Sequence, residues 1–345
     1  VLVAALPLRV VTGMPFEWCI LTIGVFAVVW TLMGGMTTVI WTDVMQFGLF
    51  TFGGLLALFW ISSSVEGGFA GIWDIASAAG KTRFWNFEWG FGAELEFTFW
   101  VALLAVPFQN LTAFGVDQLN AQRMFCCKSA GDASKAIIWS SAGQILTLLM
   151  LLVGASLYAY YHQHPPAGQL AEFVQWDPET GTPGARDNVF EAWIVSVLPP
   201  GLSGLVLAAV FAASISSLDS ILAALSQTTL SLWHHPEHSA HEDLDHSRLV
   251  LQSKILVIVW GCLLTGFTAV LYAVKDEIAI LPLAFGMTAY TMGPLLGMFL
   301  CALHGKGSAR GLLAGAVVSF RLTMLFRNDI WLLVVKLGWV PVENL

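Results

Sequence analysis

The sequence predicts an all-α protein, a polytopic bundle of membrane-spanning helices, and three observations carry that expectation. Of its 345 residues 57% are hydrophobic and only 11% charged, against about 25% charged in a soluble domain, and the mean hydropathy is +0.74. The apolar residues gather into runs of the ~20 residues that a helix needs to cross a bilayer, separated by Gly-, Pro- and charge-bearing segments. Several runs also hold polar residues near their centre. An Asp there costs about 2.5–3.5 kcal/mol on insertion scales, so such residues face an interior and mark an ion or solute path. The net charge of −8 leaves no basic surface for nucleic acid. The five cysteines, Cys19, Cys126, Cys127, Cys262 and Cys301, lack the spacing of a zinc site or a disulfide framework.

In chain order, residues 1–11 read as the tail of a helix, too short for a span, so the chain is expected to begin inside one. Thr12-Gly13-Met14-Pro15 is a turn, and residues 16–33 are a span with Trp18 and Trp30 as interfacial anchors. Gly34-Gly35 breaks it. A further span is expected over residues 39–61, with Thr38 as N-cap and Asp43 and Gln46 one turn inside; so placed, Asp43 answers either the helix macrodipole or a site. Residues 62–96 read as a loop with one short surface helix over 72–79. The next span, 97–119, contains Pro107, which frees the carbonyl four residues back beside Gln109, Asn110 and Thr112. Interrupted helices of this kind build substrate sites in inverted-repeat transporters.

Residues 136–161 form another span, and 162–187 an acidic loop rich in Pro and Gly. Asn188-x-x-Glu191 has the spacing of a capping box for a short helix over 189–198. The run from Pro199 to Trp233 is the most informative. It is membrane-length and apolar, yet Ser214, Ser216, Ser217, Asp219 and Ser220 interrupt it. Ser216 and Ser220 are four apart and Ser216 and Asp219 three apart, so they share a helix face with Ser217 about 100° round the axis. Such an oxygen-rich stripe suits a hard cation such as Na⁺; serines at that spacing also let helices approach and hydrogen-bond. Five of the eight histidines follow, His234, His235, His238, His241 and His246, in a segment that reads as a solvated linker because Pro236 breaks helical spacing; a metal site is the alternative. Spans are expected over 249–274, 278–303 and 311–326, the second loosened at its centre by Gly286 and Pro294 and the third carrying Arg321.

The residues Ala213-Ser214-Ile215-Ser216-Ser217-Leu218-Asp219-Ser220, introduced by Pro199-Pro200-Gly201-Leu202, resemble the eighth core helix of the sodium:solute symporters, the group of sodium-coupled sugar, proline, iodide and sialic-acid transporters. Trp41-Thr42-Asp43-Val44-Met45-Gln46 after Gly-Gly is a second match. The most specific is Gly115-Val116-Asp117-Gln118 through Gln122-Arg123, similar to the family's Gly-x-Asp-Gln-x-x-x-Gln-Arg sixth helix. The resemblance implies that the carbonyl of Ala213 and the hydroxyls of Ser216 and Ser217 bind the coupling Na⁺, with further ligands from the first core helix. Asp43, Asp219 and Ser220 would form a second cation or proton site; alternatively Asp219 points to a hydrated vestibule. Asn110 would contact solute, with Ala113-Phe114 at the place of an aromatic pair and Thr288 and Tyr290 opposite. Two departures stand out: one aromatic of the pair is replaced by Ala113, and the Gln that sodium–sugar members carry near Thr288 is absent.

The fold so implied is a ten-helix core of two inverted five-helix repeats, here one transmembrane domain over residues 1–345, from the end of the third core helix to one helix past the tenth and incomplete at the N-terminus. The missing helices would carry half of each site, so this chain alone should not transport. The implied function is sodium-coupled symport of a small polar organic solute by a monomeric unit in the lipid bilayer, not an enzyme, with Na⁺ as coupling ion and no organic cofactor. Basic residues favour one set of loops, with Arg123, Lys128, Lys135, Arg248, Lys254, Lys306 and Arg310 against Arg9, Lys81, Arg83, Arg186 and Lys275; positive-inside orientation in a plasma (inner) membrane follows. Two alternatives remain open: a symporter-like membrane sensor feeding a signalling module, and a metalloenzyme using the His-rich loop, against which stands the absence of a His-Glu-x-x-His set.

Overall fold

Helix α1 (Leu2–Thr12) ends where expected, at Gly13, whose φ of 66° is the left-handed C-cap that favours glycine. Helix α2 spans Phe16–Met33, matching the run read from the sequence. Helix α3 is longer, Met36–Ser64. Residue 38 is therefore inside the helix and not at its N-cap position, because in an apolar setting a backbone amide has no better partner than the next turn. Asp43 consequently lies two turns in, beyond the first turn where the macrodipole acts. The computed structural model describes residues 1–33, 36–89, 98–184, 188–233, 246–274, 280–305 and 308–325.

The surface helix α4 (Gly68–Ala78) starts four residues earlier than expected and buries Ile72 and Ala76. Helix α5 (Phe99–Gly115) is capped by Thr98, whose hydroxyl accepts from the Val101 amide. It runs through Pro107 without a break; the break comes at Val116–Asp117, where the chain bends by 51° into α6 (Gln118–Phe125). The expected interruption thus falls not at the proline but in the motif, beyond the end of α5. Helix α7 (Ala130–Ser140) continues through a 3-10 turn (Ser141–Gly143) into α8 (Gln144–Gln163), a 34-residue apolar stretch that begins six residues before the span expected.

The 162–187 segment holds a short helix, α9 (Gln169–Val174), and the one hairpin among the described residues, β1 (Trp176–Asp177) with β2 (Thr182–Pro183). The Asp177 carboxylate closes that turn, accepting from the Glu179 amide at 2.9 Å and the Thr180 hydroxyl at 2.6 Å. Helix α10 is Val189–Val197. Asn188 makes no capping bond there; its amide donates instead to Phe173 O at 3.2 Å, tying α10 back to α9, so the capping-box reading is corrected. Helix α11 (Leu202–Trp233) follows, then α12 (His246–Val274), α13 (Ile280–Leu303) and α14 (Ala309–Leu325). Pro294 lies within an unbroken α13, so that helix is not loosened as expected. His234, His235, His238 and His241 fall outside the described residues, as do Phe97, Arg186, Lys275, Ile278, Lys306 and Phe326.

The chain forms two compact units, Val1–Phe84 with Gln122–Glu277, and Trp85–Ala121 with Ile278–Leu345. In the first, α11 packs along α3 and α12, and α12 along α2. Its two ends enter different apolar clusters. Val206 and Leu207 join Ile61, Leu157, Trp193 and Ile194 of α3, α8 and α10, while Leu218 and Leu222 join Ala4, Ile23, Ala27 and Val257 of α1, α2 and α12. The polar turn 213–220 lies between. In the second unit, α13 packs against α14 and α5, and the Tyr290 and Phe320 rings are 5.7 Å apart. Among the described residues five helices are long and apolar enough to cross a membrane, six if α5 and α6 count as one bent span.

Helices α2 and α12 meet through glycines. A Cβ at Gly24 would fall on the Thr265 side chain, and one at Gly261 on Val28; both neighbours are β-branched and stiff at χ1. Gly261→Val should therefore overpack this seam by about 1–3 kcal/mol and lower the melting temperature, whereas Gly266→Ala, in open space on the same helix, should leave it nearly unchanged. Thermal unfolding of the two variants side by side checks this.

Candidate functional site

The first unit brings Asp43, Ser216, Asp219, Ser220 and Arg123 together in one polar cluster on α3, α6 and α11. Asp43 is at its centre. The Ser216 hydroxyl donates to Asp43 Oδ1, and Arg123 Nη2 donates to Asp43 Oδ2 at 2.6 Å. The same guanidinium nitrogen reaches the Ser220 hydroxyl at 2.7 Å, and Ser220 in turn donates to Ser216 O at 3.0 Å. The chain of donors therefore closes on itself. Every hydroxyl proton in it is used, and both Asp43 oxygens accept. Side-chain exposure is 37% for Arg123 and 20% for Asp43, so the pair is partly screened and lies at the edge of the apolar region.

Among the described residues Asp219 is the most enclosed carboxylate, with 2% of its surface exposed. It faces the Thr31 hydroxyl of α2 and lies in the fields of Asp43 and Arg123. Thr31, itself buried, also has Ala27 O at 2.8 Å from its hydroxyl, so a single proton serves both its own helix and Asp219. Asp219 Oδ1 has no hydrogen-bond partner, nor has Gln46 Oε1, one turn after Asp43 on α3. Two unpartnered, buried oxygens beside a polar cluster are the acceptor-rich surroundings that a hard cation would fill.

The other three-residue set is only partly assembled. The Ser217 hydroxyl lies 3.4 Å from Ala213 O, one turn back on the exposed flank of α11, so these two oxygens are adjacent. Ser216, expected as their partner, is turned to Asp43 instead. Its place about 100° round the helix from Ser217 makes it the residue common to both groups.

All five residues expected to contact solute fall in the second unit. Asn110 is exposed on α5, and Ala113 and Phe114 are half-buried near its end. Thr288 is exposed on α13, while Tyr290 lines a groove of about 460 Å³ with Pro294, Phe320 and Arg321. The Gly115-to-Arg123 motif has a structural meaning as well. Asp117 Oδ1 accepts from the Leu119 amide at 3.0 Å, capping α6, and the Asn120 amide donates to Ala113 O at 2.7 Å. Thr112 O takes the Val116 and Asp117 amides. Asp117 thus holds the break in place, Gln118 opens α6, and Gln122 is buried beside Arg123.

A family model described as the sodium:solute symporter family matches residues 1–318. The chain belongs to the sodium:solute symporter family. Among curated members, the sodium-dependent multivitamin transporter of Oryctolagus cuniculus is 28% identical over 330 residues, covering 92% of this chain and 48% of its own length. The human sodium-coupled monocarboxylate transporter 1 is 28% identical, covering 91% and 50%. The sodium/sialic acid symporter of Proteus mirabilis (strain HI4320) is 27% identical, covering 91% and 60%. The chain therefore spans about half of the length of these relatives. A solved structure of a substrate-bound, outward-open Na⁺-coupled sialic acid symporter, which revealed a novel Na⁺ site, superposes with a TM-score of 0.68 at 25% identity, covering 86% of this chain and 58% of that one. The fold is that of a multi-pass membrane symporter, and the curated relatives are transporters, not enzymes.

The sequence places Arg123 in the family motif without a partner and does not single out Thr31. Part of the signal for the first is in the sequence: a carboxylate inside an apolar run calls for a counter-charge, but many basic residues stand at span ends and nothing in their spacing selects Arg123. Nothing in the pattern of α2 marks Thr31, because a threonine in an apolar run bonds its own backbone, as Thr22 and Thr31 both do. Removing one member of the Asp43–Arg123 pair leaves a charge without its partner. Arg123→Ala and Asp43→Asn should each destabilise the protein by about 1–3 kcal/mol, below the ~3–5 of a fully buried pair. The double variant should cost less than the sum; strict additivity in thermal or denaturant unfolding would show that the pair is not coupled.

Proposed function

We propose that this chain forms part of a sodium-coupled secondary transporter that moves a small polar organic solute by alternating access across the plasma membrane. One observation supports the reading above others: the polar turn of α11 and Asp43 of α3 gather carboxylate, hydroxyl and carbonyl oxygens inside a single unit of apolar helices. Oxygen donors without Cys or His select a hard cation. Na⁺ at Ala213 O, Ser216 and Ser217 would draw Ser216 from Asp43, and a second cation or proton would be held by Asp43, Asp219 and Ser220. Solute would be met by Asn110, Ala113, Phe114, Thr288 and Tyr290 of the other unit.

The energetics suffice with one ion. A monovalent cation moving down ~100 mV gains ~2.3 kcal/mol, and a tenfold gradient adds about 1.4 kcal/mol. Together they support solute accumulation on the order of several hundredfold. The relatives named for monocarboxylates and sialic acid make organic acids the first solutes to try, in a panel with sugars and amino acids.

The test uses the intact transporter. Ser217→Ala should raise the Na⁺ concentration for half-maximal ²²Na⁺ binding by about 3- to 10-fold, or ~0.7–1.4 kcal/mol, with little change in melting temperature because Ser217 is exposed and its one bond is long. Unchanged Na⁺ affinity would remove Ser217 from the site.

A further inference from the structure

Arg123 engages two of the residues that the cation reading assigns to the second site. Its Nη2 donates to Asp43 Oδ2 at 2.6 Å and to Ser220 Oγ at 2.7 Å. Asp43 Oδ1 is taken by Ser216, and the Ser220 proton goes to Ser216 O. A cation bound by Asp43 and Ser220 would need lone pairs that already face a guanidinium. It would also stand within a few ångströms of a like charge. A guanidinium does not give up its proton in a protein, so its charge leaves this cluster only if the side chain moves. Arg123 has the means to move: its side chain is 37% exposed, and its stem is long and flexible.

We propose that Arg123 is a tethered cation that competes with the second cation for the oxygens of Asp43 and Ser220, and so sets the ion concentration at which that second site fills. The proposal rests on reading Asp43, Asp219 and Ser220 as a cation site. It adds that occupancy by a free cation and by the guanidinium exclude one another. When the guanidinium holds Asp43 and Ser220, α3, α6 and α11 are clamped through one nitrogen atom. When a small cation takes those oxygens, the end of α6 is released from α3 and α11. Asp219, which makes no bond to Arg123 and keeps an unpartnered Oδ1, supplies a ligand that the guanidinium does not use. This gives the incoming ion a foothold before the arginine leaves.

The experiment needs no knowledge of the solute and begins with the unmodified protein. Phenylglyoxal reacts with accessible guanidinium groups, and mass spectrometry of the peptide carrying Arg123 reports its rate. In the purified intact transporter the Arg123 rate should rise several-fold in NaCl over choline chloride at equal ionic strength, with its midpoint at the Na⁺ concentration that half-saturates ²²Na⁺ binding. Arg83, outside the cluster, should not respond. A rate at Arg123 that is unchanged or slowed by Na⁺ overturns the proposal. As a second measurement, Arg123→Gln should lower the Na⁺ concentration for half-maximal ²²Na⁺ binding about threefold or more, and Arg123→Lys should restore it most of the way; an equal or higher midpoint in Arg123→Gln also overturns it. The two readings fail separately. If the intact protein binds no ²²Na⁺, or Ser217→Ala leaves binding unaltered, the functional reading fails. If Na⁺ binds and responds to Ser217→Ala while Arg123 reactivity is indifferent to Na⁺, competition alone fails.

Discussion

Asp43 is a carboxylate two turns into a 29-residue apolar helix, and the polar architecture of the first unit is arranged to compensate it. An ionised group in such a place is tolerated only with a counter-charge and filled hydrogen bonds. Arg123 supplies the charge, and Ser216 and Ser220 complete the bonding. Because these partners come from α6 and α11, satisfying one carboxylate fixes three helices against one another. The serine-rich turn of α11, whose hydroxyls would otherwise bond only their own backbone, thereby gains a tertiary role.

The apolar packing places this cluster and limits it. Helix α11 is clasped at one end by α3, α8 and α10 and at the other by α1, α2 and α12, which leaves its serine-rich middle to face α3. Farther along, Ser226 donates to Ser253 O at 2.8 Å and the Trp260 indole to Thr229 at 3.0 Å, pinning α11 to α12. Where α12 meets α2, Gly24 and Gly261 let side chains of the opposite helix approach the backbone. Small residues and interhelical hydrogen bonds do this work because lipid offers no hydrophobic gain for helix association.

Much of this was legible in the residues, and the exceptions have physical causes. The span of α2 and the extent of α11 follow from hydropathy alone, and Ser216 and Ser220 share a face because four residues nearly complete a turn. The start of α3 was misplaced because Thr38 has the chemistry of a cap, yet a helix in an apolar setting extends through such a residue rather than leave amides unpaired. Pro107 and Pro294 read as breaks for the reason that holds in water, whereas the chain breaks at Val116–Asp117, where Asp117 and Asn120 side chains can take over the freed backbone groups. The Asn188 spacing matched a capping box, but the amide found a carbonyl on α9, a contact that local sequence does not encode. The pairing of Asp43 with Arg123 joins residues 80 apart; the need for a partner was readable, its identity was not.

The central claim is that the oxygens of α11 and Asp43 are a monovalent-cation site on this unit. Its most direct test is a pair of cryo-electron microscopy maps of the intact transporter, in Na⁺ and in choline, at a resolution that shows ions. The account predicts Na⁺-dependent density within coordination distance of Ala213 O and the Ser216 and Ser217 hydroxyls, or of Asp219 and Ser220. Maps with the same side-chain positions and no added density along α11 in Na⁺ would contradict it.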